Sequence, residues 1–221
     1  MDAKLELISF PICPFVQRSV IMLGHKGVDF ALTHIDLANK PEWFTEISPF
    51  GKVPVLRTNG AVLFESTVIN EYLDEISPPS LHPRDPLVKA QNRAWIEYAS
   101  ELQGRWFAMA TAASQLDYEQ AAERLAAGLV RVDEQLKEGP FWNGPELSLV
   151  DIAFAPLLWR VAFVESHRKL PAEDARRGLA GWWERLRALE AVARSVPENF
   201  EELATQFLQR RRSWLVSHVA E

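Results

Sequence analysis

Cys13-Pro14-Phe15 is the segment of this sequence best able to do chemistry. Proline is favoured at the first position of a helix, which puts Cys13 at the N-cap. A thiol there faces the free amides of Phe15 or Val16 and the positive end of the helix dipole. Both favour thiolate, the nucleophilic form, so the expected pKa lies below the free value of ~8.5. The competing reading is a buried, inert cysteine, since free Cys is among the most buried residue types. Cys13 is the sole cysteine. An intramolecular disulfide and a cysteine-based metal cluster are therefore excluded. A lone thiol fits a reducing compartment, which predicts a cytoplasmic protein.

Three other features stand beside it. A proline that opens a strand, as in Val53-Pro54, suits a strand with a free edge. If that bond is cis, the Val53 backbone points outward and can pair with an extended peptide; a trans bond would mark a plain strand start. Glu65-Ser66 lies where an apolar run meets a helix. Amides at a helix start attract a carboxylate, or Glu65 simply adds favourable charge to the cap. Lys40 and Lys52 flank these loops, and taken singly they read as solvated charges.

The elements that must position these residues are legible in the first 76. Leu5–Phe10 alternates and then turns apolar, as a strand buried at one end would. Pro14–Lys26 reads as a short helix ending at Gly24 or Gly27. Phe30–Ile35 reads as a strand and Pro41–Ile47 as a short helix. Val53–Arg57 and Ala61–Phe64 flank Thr58-Asn59-Gly60, a strong hairpin signal. Ser66 is expected to cap a helix reaching about Ile76. The order β-α-β-α-β-β-α predicts a parallel pair extended by an antiparallel hairpin, compatible with a thioredoxin-like domain.

Ser77–Pro86 carries four prolines in ten residues, which reads as a linker. Beyond it the spacing turns helical. Val88, Trp95, Tyr98, Leu102, Trp106 and Met109 form one stripe. Ala122, Leu125, Leu129, Val132 and Leu136 form another, ended by Gly139-Pro140. Ser148 and Asp151 form a variant capping box, with Leu147 and Ile152 as its hydrophobic staple. Leu179–Glu190 and Pro197–Arg210 are further amphipathic segments. Arg210, Arg211 and Arg212 read as cations closing a helix, with a phosphate-binding role as the alternative. The expected class is α/β plus all-α, with domains over 1–76 and 88–221 joined by a linker over 77–87.

Composition narrows the function. The 221 residues are 48 % hydrophobic and 24 % charged, enough to bury a real core. A net charge of −6 without a basic face argues against nucleic acid as a partner. Apolar runs such as Ile152–Trp159 fall short of the ~20 residues of a membrane helix. Met1–Leu7, charged at Asp2, Lys4 and Glu6, lacks the apolar stretch of a signal peptide. With no phosphate loop and no metal-ligand cluster, neither a nucleotide nor a metal is expected.

Cys13–Arg18, Asn39–Phe44, Ser48–Leu56 and Phe64–Ser66 together resemble the glutathione transferase superfamily in spacing and order, closest to its cysteine-type omega-like members. The Ser148–Asp151 box resembles that of the family's helical domain. The resemblance implies Cys13 as the catalytic thiol, with Phe15 shaping the site beside it. Lys40 would meet the glycyl carboxylate of glutathione, with Lys52 a second candidate. Val53, ahead of a cis Pro54, would pair with the cysteinyl backbone, and Glu65 and Ser66 would hold the γ-glutamyl end. Redox relatives often carry a second cysteine where this chain has Val16. A disulfide on Cys13 must then be opened by another thiol, which glutathione as co-substrate would supply. That favours a thiol transferase or reductase acting on mixed disulfides, dehydroascorbate or α-glutathionyl carbonyl compounds. A conjugating or dehalogenating transferase is the alternative, and a non-enzymatic regulatory binding protein is the alternative of another class. The acceptor would lie in the cleft between domains, with Tyr98, Leu102 and Trp106 either walling it or filling the core. A homodimer is implied by the resemblance alone.

Overall fold

The structure is a computed structural model that describes residues 5 to 217; the charged positions Asp2 and Lys4 lie outside it. The N-terminal part runs β1 (Glu6–Ser9), α1 (Pro14–Lys26), β2 (Ala31–His34), α2 (Glu42–Ile47), β3 (Val55–Thr58), β4 (Ala61–Phe64) and α3 (Ser66–Ile76). The sheet order is β2-β1-β3-β4. β1 and β2 are parallel, joined through α1, and the other two pairings are antiparallel. This is the expected thioredoxin-like arrangement. Alternation along β1 sends its side chains to opposite faces of the sheet. Leu7 enters the main core with α1 and α3, while Ile8 joins Ile35, Phe44 and Val55 in a smaller cluster.

The C-terminal part is helical: α4 (Pro86–Ala110), α5 (Gln115–Asp133), α6 (Leu149–Glu165), α7 (Arg177–Arg187), α8 (Glu190–Ala193) and α9 (Phe200–Arg210). α6 is buried almost throughout, and it is the element on which α1 and α4 both pack. Its start carries the predicted capping box. Ser148 N donates to Asp151 Oδ2 at 2.8 Å, and Asp151 N donates to Ser148 Oγ at 3.5 Å. The Asp151 carboxylate also accepts from Trp142 N at 2.9 Å and from Trp182 Nε1 at 2.7 Å. Leu147 and Ile152, the staple positions, are both buried. No described helix is long and apolar enough to cross a membrane.

Several boundaries differ from expectation: α4 begins at Pro86, inside the expected linker, and the segment expected over Leu179–Glu190 ends as α7 at Arg187. Ser66 is the first residue of α3, and Glu65 holds the N-cap with φ of 69° and no side-chain capping bond. The hairpin reaches the helix in one residue, so the chain must reverse at Glu65 itself. α5 ends at Asp133, six residues before Gly139. There the Asp133 carboxylate accepts from the Leu179 amide at 2.7 Å. The chain then tightens through i−3 bonds from Gln135 and Leu136, which turn Leu136 back onto the core.

Candidate active site

Cys13 stands at the N-cap of α1, after a three-residue turn that follows β1, with its amide bonded to Phe10 O at 3.0 Å. Its Sγ lies 4.0 Å from the carbonyl oxygen of Val53, and the Val53–Pro54 peptide is cis. Phe15, Lys52, Val53, Pro54, Glu65 and Ser66 line one cavity of about 170 Å³. Of the residues expected to contact glutathione, only Lys40 is outside that lining. Its exposed side chain lies over Gly51, where an added Cβ would sit 3.0 Å from the Lys40 ammonium. Gly51 has φ of 59°, so glycine serves both the turn and the lysine that covers it.

A second cavity, about 400 Å³, shares the Phe15 wall and takes in Cys13 itself. Aromatic side chains dominate it, among them Phe10, Trp106, Phe107, Phe200 and Phe207, and no carboxylate lines it. Of the three acceptor-wall candidates, only Trp106 is in that lining. Leu102 and Tyr98 point toward α5: a Cβ on Gly128 would meet Leu102 Cδ2 at 2.3 Å and Tyr98 Oη at 3.2 Å. The reason is helical phase. On α4 the residues lining the cavity are 103, 104, 106 and 107, and at about 100° per residue Leu102 falls off that arc and onto the side turned toward α5, with Tyr98 one turn before it. Gln103 and Phe107 replace Leu102 and Tyr98.

Two arginines that sequence reasoning left without a role cross the domain interface beside Cys13. Arg18, on α1, donates to Ala153 O at 3.2 Å and to Ser100 Oγ at 2.8 Å. Arg160, on α6, donates to Gln17 Oε1 at 2.6 Å, Pro156 O at 2.8 Å and Ile12 O at 2.7 Å. Each is only 2 % exposed, and neither has a carboxylate within ion-pair distance among the described residues. A signal for Arg160 existed in the sequence. It is the one cation between Asp151 and Glu165 in an otherwise apolar run, and a lone charge there is either partnered or functional.

Burial lowers both guanidinium pKa values, to about 10 for Arg18 and about 9 for Arg160, so both remain cationic at neutral pH. The thiol behaves differently from expectation. Burial raises the Cys13 pKa above its ordinary value; the amides of Val16 and Phe15 and the charges of Arg160 and Arg18 pull it down without overcoming that effect. The N-cap reasoning named the right donors and omitted the loss of water. Cys13 keeps part of its surface accessible, yet it sits deep enough among neighbours for desolvation to dominate. Among the described residues, no group of three or more His, Cys, Asp or Glu side chains could hold a metal ion.

The thioredoxin-like domain thus presents one cysteine to the helical domain, with separate cavities on either side of Phe15. Residues 12–76 match the family model described as the glutathione S-transferase N-terminal domain, and residues 115–185 match its C-terminal domain. The chain is 34 % identical over 168 residues to glutathione S-transferase omega-1 of Rattus norvegicus, covering 74 % of this chain and 70 % of that one. Glutathione transferase Omega 3C from Trametes versicolor superposes with a TM-score of 0.79 at 27 % identity, over 90 % of each chain. A Tau class glutathione S-transferase from mango, Mangifera indica, superposes with a TM-score of 0.82 at 31 % identity, over 94 % of this chain and 98 % of that one. The chain belongs to the glutathione S-transferase family and is omega-like.

Proposed function

We propose that this protein is a glutathione-dependent thiol transferase or reductase in which Cys13 is the attacking group. The observation that carries the reading is the placement of the sole thiol in the aromatic cavity, beside two buried guanidiniums, neither of which has a carboxylate within ion-pair distance among the described residues. In this reading glutathione lies along Val53 and the Glu65-Ser66 start of α3, with Lys40 and Lys52 near its glycyl carboxylate. Cys13 thiolate, stabilised by Arg18 and Arg160, attacks the glutathione sulfur of a mixed disulfide held in the two cavities, and the acceptor's sulfur leaves as thiolate. A Cys13–glutathione disulfide forms and the acceptor departs. Val16 leaves no internal thiol to open that disulfide, so a second glutathione thiolate does so, restoring Cys13 and releasing glutathione disulfide.

A conjugating reading is favoured by one observation. The raised pKa of Cys13 suits a thiol that stays protonated and donates a hydrogen bond to bound glutathione thiolate. One experiment separates the two. After incubation with glutathione disulfide, the wild-type protein should gain the mass of one glutathione, removable by a reductant. Cys13→Ser should lose reductase activity and retain glutathione binding. Full reductase activity in Cys13→Ser would refute the assignment of Cys13 as nucleophile.

A further inference from the structure

The three arginines at the end of α9 differ in what they face. Arg211 lines the aromatic cavity; Arg210 and Arg212 line neither that cavity nor the one beside Val53. Residues four apart on a helix share a face, which sets Arg211 over Phe207, its guanidinium carbon 4.6 Å from the ring centroid. The same group lies 5.3 Å from the ring centroid of Phe107 on α4. Phe107 is 42 % exposed and Arg211 is exposed, so the pair marks the solvent side of the cavity. The helix dipole accounts for a cation at this end of α9; it does not account for one seated on two cavity rings. Those rings hold the guanidinium through its charge, and its N–H donors make no hydrogen bond or ion pair among the described residues. The other cation of the lining, Arg160, is buried and spends donors on Gln17, Pro156 and Ile12. No carboxylate lines the cavity. An aromatic cavity with an unspent guanidinium on its rim selects a ligand whose apolar body fills the cavity and whose anionic group reaches the rim.

We propose that Arg211 is a specificity-determining residue that pairs with a carboxylate on the acceptor, so that the site prefers mixed disulfides of glutathione with aromatic thiols that carry a carboxylate. The proposal rests on the thiol-transfer reading above and narrows it. The guanidinium offers a planar fork of N–H donors that matches the two oxygens of a carboxylate. In the step concerned, Cys13 thiolate attacks the glutathione sulfur; the S–S bond between Cys13 and glutathione forms, and the S–S bond to the aromatic thiol breaks. The electron pair leaves on the aryl sulfur, which is reduced to thiolate, and Cys13 is oxidised to the disulfide. A second glutathione thiolate opens that disulfide, which restores Cys13 thiolate and gives glutathione disulfide. Arg211 takes no part in these transfers. It acts on binding, and because its charge borders solvent, dissolved salt weakens the pairing.

Two mixed disulfides of glutathione serve as probes, one with thionitrobenzoate and one with para-nitrothiophenol. Both leaving groups carry a nitro group para to sulfur and absorb visible light once released; they differ in the carboxylate. The carboxylates of glutathione are common to both and cancel in the ratio of kcat/KM for the carboxylated probe to kcat/KM for the neutral one. Arg211→Gln should lower that ratio roughly three- to thirtyfold, between the scale of a solvated ion pair and that of a hydrogen bond to a charged group. Arg211→Glu, with the charge reversed, should lower it further. Raising the salt from about 0.02 to about 0.5 M should lower the ratio in wild type and move it far less in Arg211→Gln. An unchanged ratio in both variants, with wild type active on the neutral probe, overturns the role of Arg211 and leaves the thiol-transfer reading standing. Wild type active on neither probe overturns both.

Discussion

Removing the carboxylate of Asp151 should unfasten the helix that carries Arg160 to Cys13. The side chain is fully buried. Burial pushes its carboxyl above the usual range, against the opposing pull of hydrogen bonds from Ser148, Trp142 and Trp182. Oδ1 accepts from Trp142 N and Trp182 Nε1, and Oδ2 accepts from Ser148 N and Ser148 Oγ at 2.6 Å. Asp151→Ala leaves four donors unmet; at roughly 1 kcal/mol each the loss is about 4 kcal/mol. For a chain of this size that lowers the thermal midpoint by roughly 8–16 °C. Asp151→Asn keeps an oxygen for the Trp142 and Trp182 pair but turns an amide donor toward Ser148 N, so about half the loss, ~2 kcal/mol, is expected. Scanning calorimetry of the three proteins at pH 7 measures the order wild type, Asn, Ala. A loss below ~1 kcal/mol in the Ala variant would refute this use of the four bonds. Equal losses in both variants would refute the division between the two oxygens.

Glu71 makes a second stability prediction. Hydrogen bonding from Arg93 first, opposed by burial and aided by His82, lowers its carboxyl from 4.5 to about 2. A depressed carboxylate pKa stabilises the folded state above the unfolded value, and that contribution is lost as pH falls from about 4.5 toward about 2. Glu71→Gln should therefore be less stable than wild type at pH 7, with the gap closing across that window. A gap in the urea midpoint that is constant between pH 6 and pH 3 would contradict it. Arg160→Met removes one of the charges that pull the Cys13 pKa down, so thiolate absorbance near 240 nm should titrate at still higher pH than in wild type. An unmoved curve would show that Arg160 acts only as a structural tie.

The order of elements, the parallel β1–β2 pair, the Asn59-Gly60 turn, the capping box at Ser148 and the loops bearing Cys13, Val53 and Glu65 could all be read from the sequence. Each rests on local chemistry: a proline at a helix start, a glycine at positive φ, a hydroxyl three residues before a carboxylate, and apolar spacing of two or 3.6. Folding then brought Phe15, Val53, Glu65 and Ser66 to one cavity because they end neighbouring elements of one sheet. Local chemistry was silent on burial. The thiol pKa depends on how much water α6 and α4 exclude from Cys13, and those helices lie some 150 and 90 residues away in the chain, respectively. Helical stripes could not tell the α4 face that meets α5, with Tyr98 and Leu102, from the face that lines the cavity, with Gln103, Trp106 and Phe107, because both faces are partly apolar. Arg18 and Arg160 gained their meaning only when packing placed each of them across the domain interface from its acceptors. Long-range burial decides such matters, and no spacing rule within a single element contains it.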